Sequence, residues 1–236
     1  MSPCKKWLFI GLTFVMLAGC AYNGRVRRGL YRTPTMTESI SGSVLVITDA
    51  GLPRTLFITD PTSAALYDFT LDVADGTAVA VTDALATLFT RADAGEQVLA
   101  KEYDFAADIE LVSELTRQDC TAKTGSLAAR QNGLCTELTL TLRRIGKPGT
   151  LTTVSAKRWN VFAKPGVASV IRFINQYTLY VLSPVLIPAY TQLQGAQLRR
   201  QFETQLTEIL EELTAQLAIQ RAVFQKALPA ANAPTR

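Results

Sequence analysis

"YDFTLDVADGTAVAVTDALATLF", residues 67–89, carries two periods in one run. Tyr67, Phe69, Leu71 and Val73 alternate with Asp68, Thr70 and Asp72, the two-residue repeat of a strand with one wet face. Further on, Ala78, Val81, Leu85 and Leu88/Phe89 recur at helical spacing. Asp75 or Thr77 stands where an N-cap is wanted, because a short oxygen-bearing side chain there accepts from an otherwise unpartnered backbone N–H. The run therefore predicts a half-buried strand feeding a helix.

Working outward, "SVLVITDA" (43–50) and "TLFITDP" (55–61) are short β-type runs closed by turn residues. Downstream, "EYDFAADIELVSEL" puts Phe105, Ala107, Ile109, Leu111 and Leu115 on one face and Asp108, Glu110 and Glu114 on the other. "TELTLTLRRI" repeats the alternation with Leu138, Leu140 and Leu142. Lys147-Pro148-Gly149-Thr150 has the Pro-Gly order of a type II turn and leads into "LTTVSAKRWNVF". One-sided alternation implies strands with one face on a core. The fold class expected is α+β: a small, mostly antiparallel sheet with helices packed on one face. A long helix over 196–226 closes it, with Leu198, Phe202, Leu206, Ile209/Leu210, Leu213 and Leu217 in one apolar stripe.

The chain of 236 residues is 48% hydrophobic and 19% charged, the composition of a foldable globular chain. It has no histidine, so the commonest general base and metal ligand is missing. There is no P-loop, G-x-G-x-x-G or H-E-x-x-H motif, and the one S-x-x-K match, Ser2 to Lys5, lies at the extreme N-terminus. Asp68 with Asp72, or Glu110 with Glu114, read first as solvated strand faces. No catalytic residue, metal or cofactor is expected.

The N-terminus reads as targeting. Lys5 and Lys6 precede Trp7–Leu17, eleven mostly apolar residues, and Leu17-Ala18-Gly19-Cys20 closes the segment. As helix, that run spans about half of a hydrocarbon core about 30 Å thick. "LAGC" resembles the lipobox of bacterial lipoproteins. The resemblance implies cleavage before Cys20 and acylation of its thiol. The alternative is a buried cysteine behind an ordinary secretory signal. Ala21 stands where the inner-membrane retention signal of these lipoproteins has aspartate, which implies the inner leaflet of the outer membrane, facing the periplasm. Removing Lys5 and Lys6 from the 24 basic residues leaves 22 against 20 acidic ones, a charge of +2 that gives no case for nucleic acid.

The domain organisation expected is a signal over 1–19, acylated Cys20 with a flexible tether to residue 42, a periplasmic α+β domain over 43–227 and a disordered tail over 228–236. Arg25, Arg27, Arg28 and Arg32 in the tether either meet anionic headgroups or simply solubilise a linker. With Cys4 in the signal and Cys20 acylated, Cys120 and Cys135 remain as a disulfide pair beyond the ends of two neighbouring strands.

"VASVIRFINQYTLYVLSPVLIPAY", residues 167–190, is the longest nearly uncharged run. Arg172, Asn175 and Gln176 lie inside it and Pro184 and Pro188 interrupt its end, which speaks against a crossing. The expectation is a helix to about Leu182 and an extended Pro-containing segment after it. Phe173, Tyr177 and Tyr180 form the face open to a partner or ligand.

Residues 67–89 with "YDFAADIELVSEL" and "ELTLTLRR", together with the lipobox and closing helix, resemble the YajG-like and ABC-transport-auxiliary groups of outer-membrane lipoproteins. The resemblance implies a non-catalytic accessory or assembly component of an envelope complex. Its partners would be outer-membrane lipid, through Cys20, and another envelope protein. The alternative is a binder of a lipidic or other apolar ligand, with residues 167–190 as pocket wall.

Overall fold

In the computed structural model the residues described are 21–27, 39–49, 51–59, 68–116, 119–121, 133–161 and 183–228. The alternating runs form eight strands: β1 (Ala21–Arg25), β2 (Ile40–Ile47), β3 (Thr55–Thr59), β4 (Asp68–Asp72), β5 (Phe89–Gly95), β6 (Phe105–Thr116), β7 (Gly133–Arg144) and β8 (Thr150–Val161). The helices are α1 (Ala74–Ala86), α2 (Ser183–Ile219) and α3 (Arg221–Ala227), with a 3₁₀ helix over Gln97–Glu102. The chain is α+β, as its periodicities predict.

Two sheets form, ordered β5-β2-β6-β7-β8 and β1-β4-β3. β6–β7 and β7–β8 are antiparallel, and the turn after β7 holds Gly146 and Gly149 at φ of 77° and 100°. The expectation of a mostly antiparallel sheet needs correction at β2, which runs parallel to both β5 and β6. The cause is visible in its residues: Val44, Leu45, Val46 and Ile47 are all fully buried, so this strand is apolar on both faces, the habit of parallel strands. Leu45 and Ile47 join Ala100 and Ala106 in a small second cluster, while Val44 and Val46 face the main core.

That main core takes β1, β3, β4, both helices α1 and α2, and the inner face of the large sheet. Ile109, Leu111, Leu138, Leu140 and Leu142 supply the sheet side. Every residue of the α2 stripe, Leu198 to Leu217, is fully buried against it. Beyond the break at Gln220, α3 turns Phe224 into an aromatic trio with Phe89 and Phe105, ring centroids 5.4–5.7 Å apart.

Three local expectations change. α1 ends at Ala86 rather than running past Phe89, because Phe89 begins the strand beside β2. Its N-cap is Val73 with no side-chain cap bond; Asp75 lies in the first turn, where a carboxylate still complements the helix dipole. The segment from Ser183, expected extended, is helical. Proline is suited to the start of a helix, since its missing N–H has no ladder partner there, so Pro184 costs little and Pro188 removes one bond.

The expected tether also changes. Ala21–Arg25 is a strand in register with Asp68–Asp72, and Val26 N–H continues the pairing to the Asp72 carbonyl at 3.0 Å. Tyr22 is buried with its ring over Gly195 of α2, where any Cβ would overlap it. Arg27 N–H donates to Glu203 Oε1 at 3.1 Å, about two turns further along the same helix. Residues 28–38 and the tail beyond Leu228 lie outside the described residues.

Gly195→Ala tests this contact. Overpacking of a filled site costs about 1–3 kcal/mol, and the unfolding midpoint in urea should fall accordingly, whereas Ala196→Gly should cost only about 1 kcal/mol. An unchanged midpoint for Gly195→Ala would show that Tyr22 is not seated on α2.

Candidate functional site

Of the functional residues read from the sequence, only Cys120 and Cys135 are among those described, and they lie at one end of the fold. α2 runs antiparallel to β8: Gln201 Nε2 donates to the Val161 carbonyl at 2.9 Å, Gln216 Nε2 to the Ser155 carbonyl at 3.4 Å, and Gln220 bonds the Thr152 hydroxyl. β1 runs the same way as α2, from Tyr22 at Gly195 to Arg27 at Glu203. The start of β1, the end of β6, the start of β7, the end of β8 and the early turns of α2 therefore share an end.

Cys20 is covalently next to Ala21, the first residue of β1, at about 3.8 Å between Cα atoms. It lies outside the described residues, as do Phe173, Tyr177 and Tyr180. The chain leaves the described fold at Val161 and re-enters it at Ser183, both near that same end.

Cys120 and Cys135 are joined, with S–S 1.97 Å and Cα–Cα 6.2 Å. Cys135 faces Glu114 on β6 and Trp159 on β8, and Cys120 Sγ sits 3.9 Å from the Arg158 carbonyl oxygen. The bridge ties the β6–β7 connection to β7 at the end of the fold where β1 starts. Trp159 in turn lies close over Gly133, where no Cβ would fit.

Just inside, a polar chain crosses the core. The Ser113 and Thr136 hydroxyls are 2.9 Å apart, Thr136 donates to Gln205 Oε1 at 2.7 Å, and Gln205 Nε2 donates to the Leu134 carbonyl at 2.8 Å. Thr136 and Gln205 are fully buried. A buried amide with both ends satisfied registers α2 on β7 and leaves no group spare for chemistry. Sequence reading missed this chain, although Gln197, Gln201 and Gln205 at four-residue steps beside an apolar stripe carry a signal for it.

Elsewhere several charged groups are answered by one another. Asp72, weighed above with Asp68 as a carboxylate pair, binds Arg25 at 3.2 Å. Arg158 spans Glu208 and Glu212 at 3.5 and 2.6 Å. On the β5 edge Arg91 binds Asp93 at 2.6 Å and lies 4.7 Å over the Tyr103 ring, and Tyr103 donates to Asp93 at 3.0 Å. The hydrogen bonds from Tyr103 and Arg91 hold the Asp93 carboxyl below its ordinary range, while desolvation and the bond to Asp93 raise the Tyr103 phenol. A carboxylate so held is a poor base at neutral pH. Burial pushes the Asp83 carboxyl upward, without a charged partner among its causes.

A cleft of about 370 Å³ lies beyond the ends of β2 and β5, lined by Thr48, Ala74, Asp75, Ala78, Val79, Ala94 and Gly95. It is small-sided and contains a carboxylate, a poor match to an acyl chain. Among the described residues no group of three His, Cys, Asp or Glu side chains is placed to hold a metal ion, and no helix is long and apolar enough to cross a membrane.

No family model matches the chain, and no curated protein does. Among solved structures it is similar to the crystal structure of protein XCC0632 from Xanthomonas campestris, described by the family model DUF330. The identity is 14%, the TM-score 0.39, and the match covers 85% of this chain and 98% of that one.

The bridge closes a loop with a sequence separation of 15, for which chain entropy predicts about 3 kcal/mol. Replacing Cys120 and Cys135 by alanine should lower the unfolding free energy by about that much. Both thiols should resist alkylation until reduced; rapid labelling of the unreduced native protein would refute the pairing.

Proposed function

We propose that the chain is an outer-membrane-anchored periplasmic lipoprotein and acts as a non-catalytic accessory or assembly component of an envelope complex. The observation that supports it most is the position of Cys20. The lipobox-like Leu17-Ala18-Gly19-Cys20 stops one residue before β1, so cleavage before Cys20 removes the whole targeting segment and leaves the first strand intact. Acyl chains on that thiol make a spanning helix unnecessary, since several chains together anchor stably.

A disulfide across the β6–β7 connection suits an oxidising compartment. The likeness of residues 67–89, 103–115 and 137–144 to the YajG-like and ABC-transport-auxiliary groups adds the accessory role. Phe173, Tyr177 and Tyr180 are the partner face in this reading. The flanks of their segment, Val161 and Ser183, both lie near the anchored end, so a partner bound there stands close to the membrane.

Two outcomes test the proposal. Cys20→Ser should leave the protein unprocessed or detached from the outer membrane; normal processing and fractionation of that variant would remove the lipoprotein reading. Changing Phe173, Tyr177 and Tyr180 together to serine should preserve secretion and acylation yet reduce crosslinking to the partner in cells about tenfold. That loss corresponds to about 1.4 kcal/mol. Equal loss from a matched change at Glu211 and Glu212 would show that the aromatic face is not the contact.

A further inference from the structure

We infer that the acylated end is fused to the fold, so that the first turns of α2 rest on the lipid surface and the helix stands away from it. The inference rests on the lipoprotein reading and adds an orientation to it. Its basis is the path of β1. Tyr22 is buried on Gly195, and the strand and helix run in the same direction from there. Going backwards from that contact, two Cα steps reach Cys20, at most about 7.6 Å away. Twelve residues of helix reach Ser183, about 18 Å away on the same side. Acyl chains seated in a bilayer at Cys20 thus bring the start of α2 to the headgroups.

The first turns of the helix suit this placement. Ser183 to Tyr190, "SPVLIPAY", holds no charge. Arg199 and Arg200 come next, and no acidic residue occurs before Glu203. Glu208, Glu211 and Glu212 then follow with no basic residue as far as Ile219. Arg199 is answered by Glu203 at 3.8 Å, and Glu208 and Glu212 by Arg158, within the fold itself. These charges stand about 24 Å or more from Ser183, past the screening length of about 10 Å, so the uncharged first turns carry the fit to the headgroups. Leu193 is 51% exposed, close to the Tyr22 contact, where nothing described covers it. Ile219, 85% exposed, stands 26 residues on, about 39 Å along the axis.

The mature chain offers no other free thiol if Cys20 is acylated, because Cys120 and Cys135 are joined. Leu193→Cys and Ile219→Cys, each in the full acylated chain, can carry a single fluorophore. Both are reconstituted in phosphatidylethanolamine vesicles containing phosphatidylglycerol and a spin-labelled headgroup lipid. Quenching at position 193 should exceed that at 219 by at least threefold. Ten Gly/Ser residues inserted between Cys20 and Ala21, a coil of about 17 Å, should lower that ratio. Equal quenching at both positions, no quenching at 193, or a ratio unmoved by the insert would overturn the orientation while leaving the anchor in place. A chain whose Cys20 carries no acyl group by mass would overturn the anchor and the orientation together.

Discussion

α2 lies across three problems that the rest of the chain leaves open. The inner face of the large sheet needs an apolar cover, the outer edge of β8 needs donors, and β1 needs a second neighbour besides β4. One helix meets all three because its faces differ. Leu198, Phe202, Leu206, Ile209, Leu210, Leu213 and Leu217 fill the core, Gln201 and Gln216 reach the Val161 and Ser155 carbonyls, and Gly195 admits the Tyr22 ring. Arg158 from β8 caps the Lys157 carbonyl at 3.0 Å and binds Glu208 and Glu212. An uncovered edge strand of twelve residues would be a template for pairing with another chain. Side-chain amides that occupy its carbonyls, with a helix lying along it, remove most of that hazard.

The energetic weight falls on burial. Burying a large apolar side chain is worth about 1.5–3 kcal/mol, whereas an exposed ion pair contributes about 0–1 kcal/mol. The Arg158 pairs are half exposed at best and set direction more than stability. Gln205 differs. Fully buried and bonded at both ends, it would be costly to leave unpartnered, so it selects the one register of α2 on β7 in which Thr136 and the Leu134 carbonyl are within reach.

Legibility followed from how local each signal was. The α2 stripe and the alternating faces of β6 and β7 repeat within a few residues and are present as read, and the chain between β7 and β8 does reverse, with Gly146 as well as Gly149 at positive φ. The Cys120–Cys135 pair was reachable by elimination, since two other cysteines had assignments. β1 was not legible. "AYNGR" is short, polar and glycine-containing, and becomes a strand only because β4 supplies hydrogen bonds and Gly195 a seat for Tyr22. The parallel setting of β2 was partly legible: "VLVI" has no polar face, although its partners β5 and β6 lie far along the chain. β5 was hidden inside a helical reading, since Leu88 and Phe89 fit both periods.

These long-range dependences bear on the order in which the chain closes. The partners of β1 are β4, whose paired residues lie 47 positions on, and α2, where the Arg27–Glu203 bond spans 176. Loop-closure entropy makes such contacts late unless something else has already brought the elements together. β2, β5, β6, β7 and β8 can form their sheet, and α2 can cover it, before β1 has any seat. Until Gly195 and Glu203 are in position, Tyr22 and Arg27 have no helix to dock on. Docking then closes Tyr22 and Val26 into the core. In the proposed lipoprotein, an anchor one residue before the first strand is compatible with processing because that strand docks on a helix residue 176 positions further on.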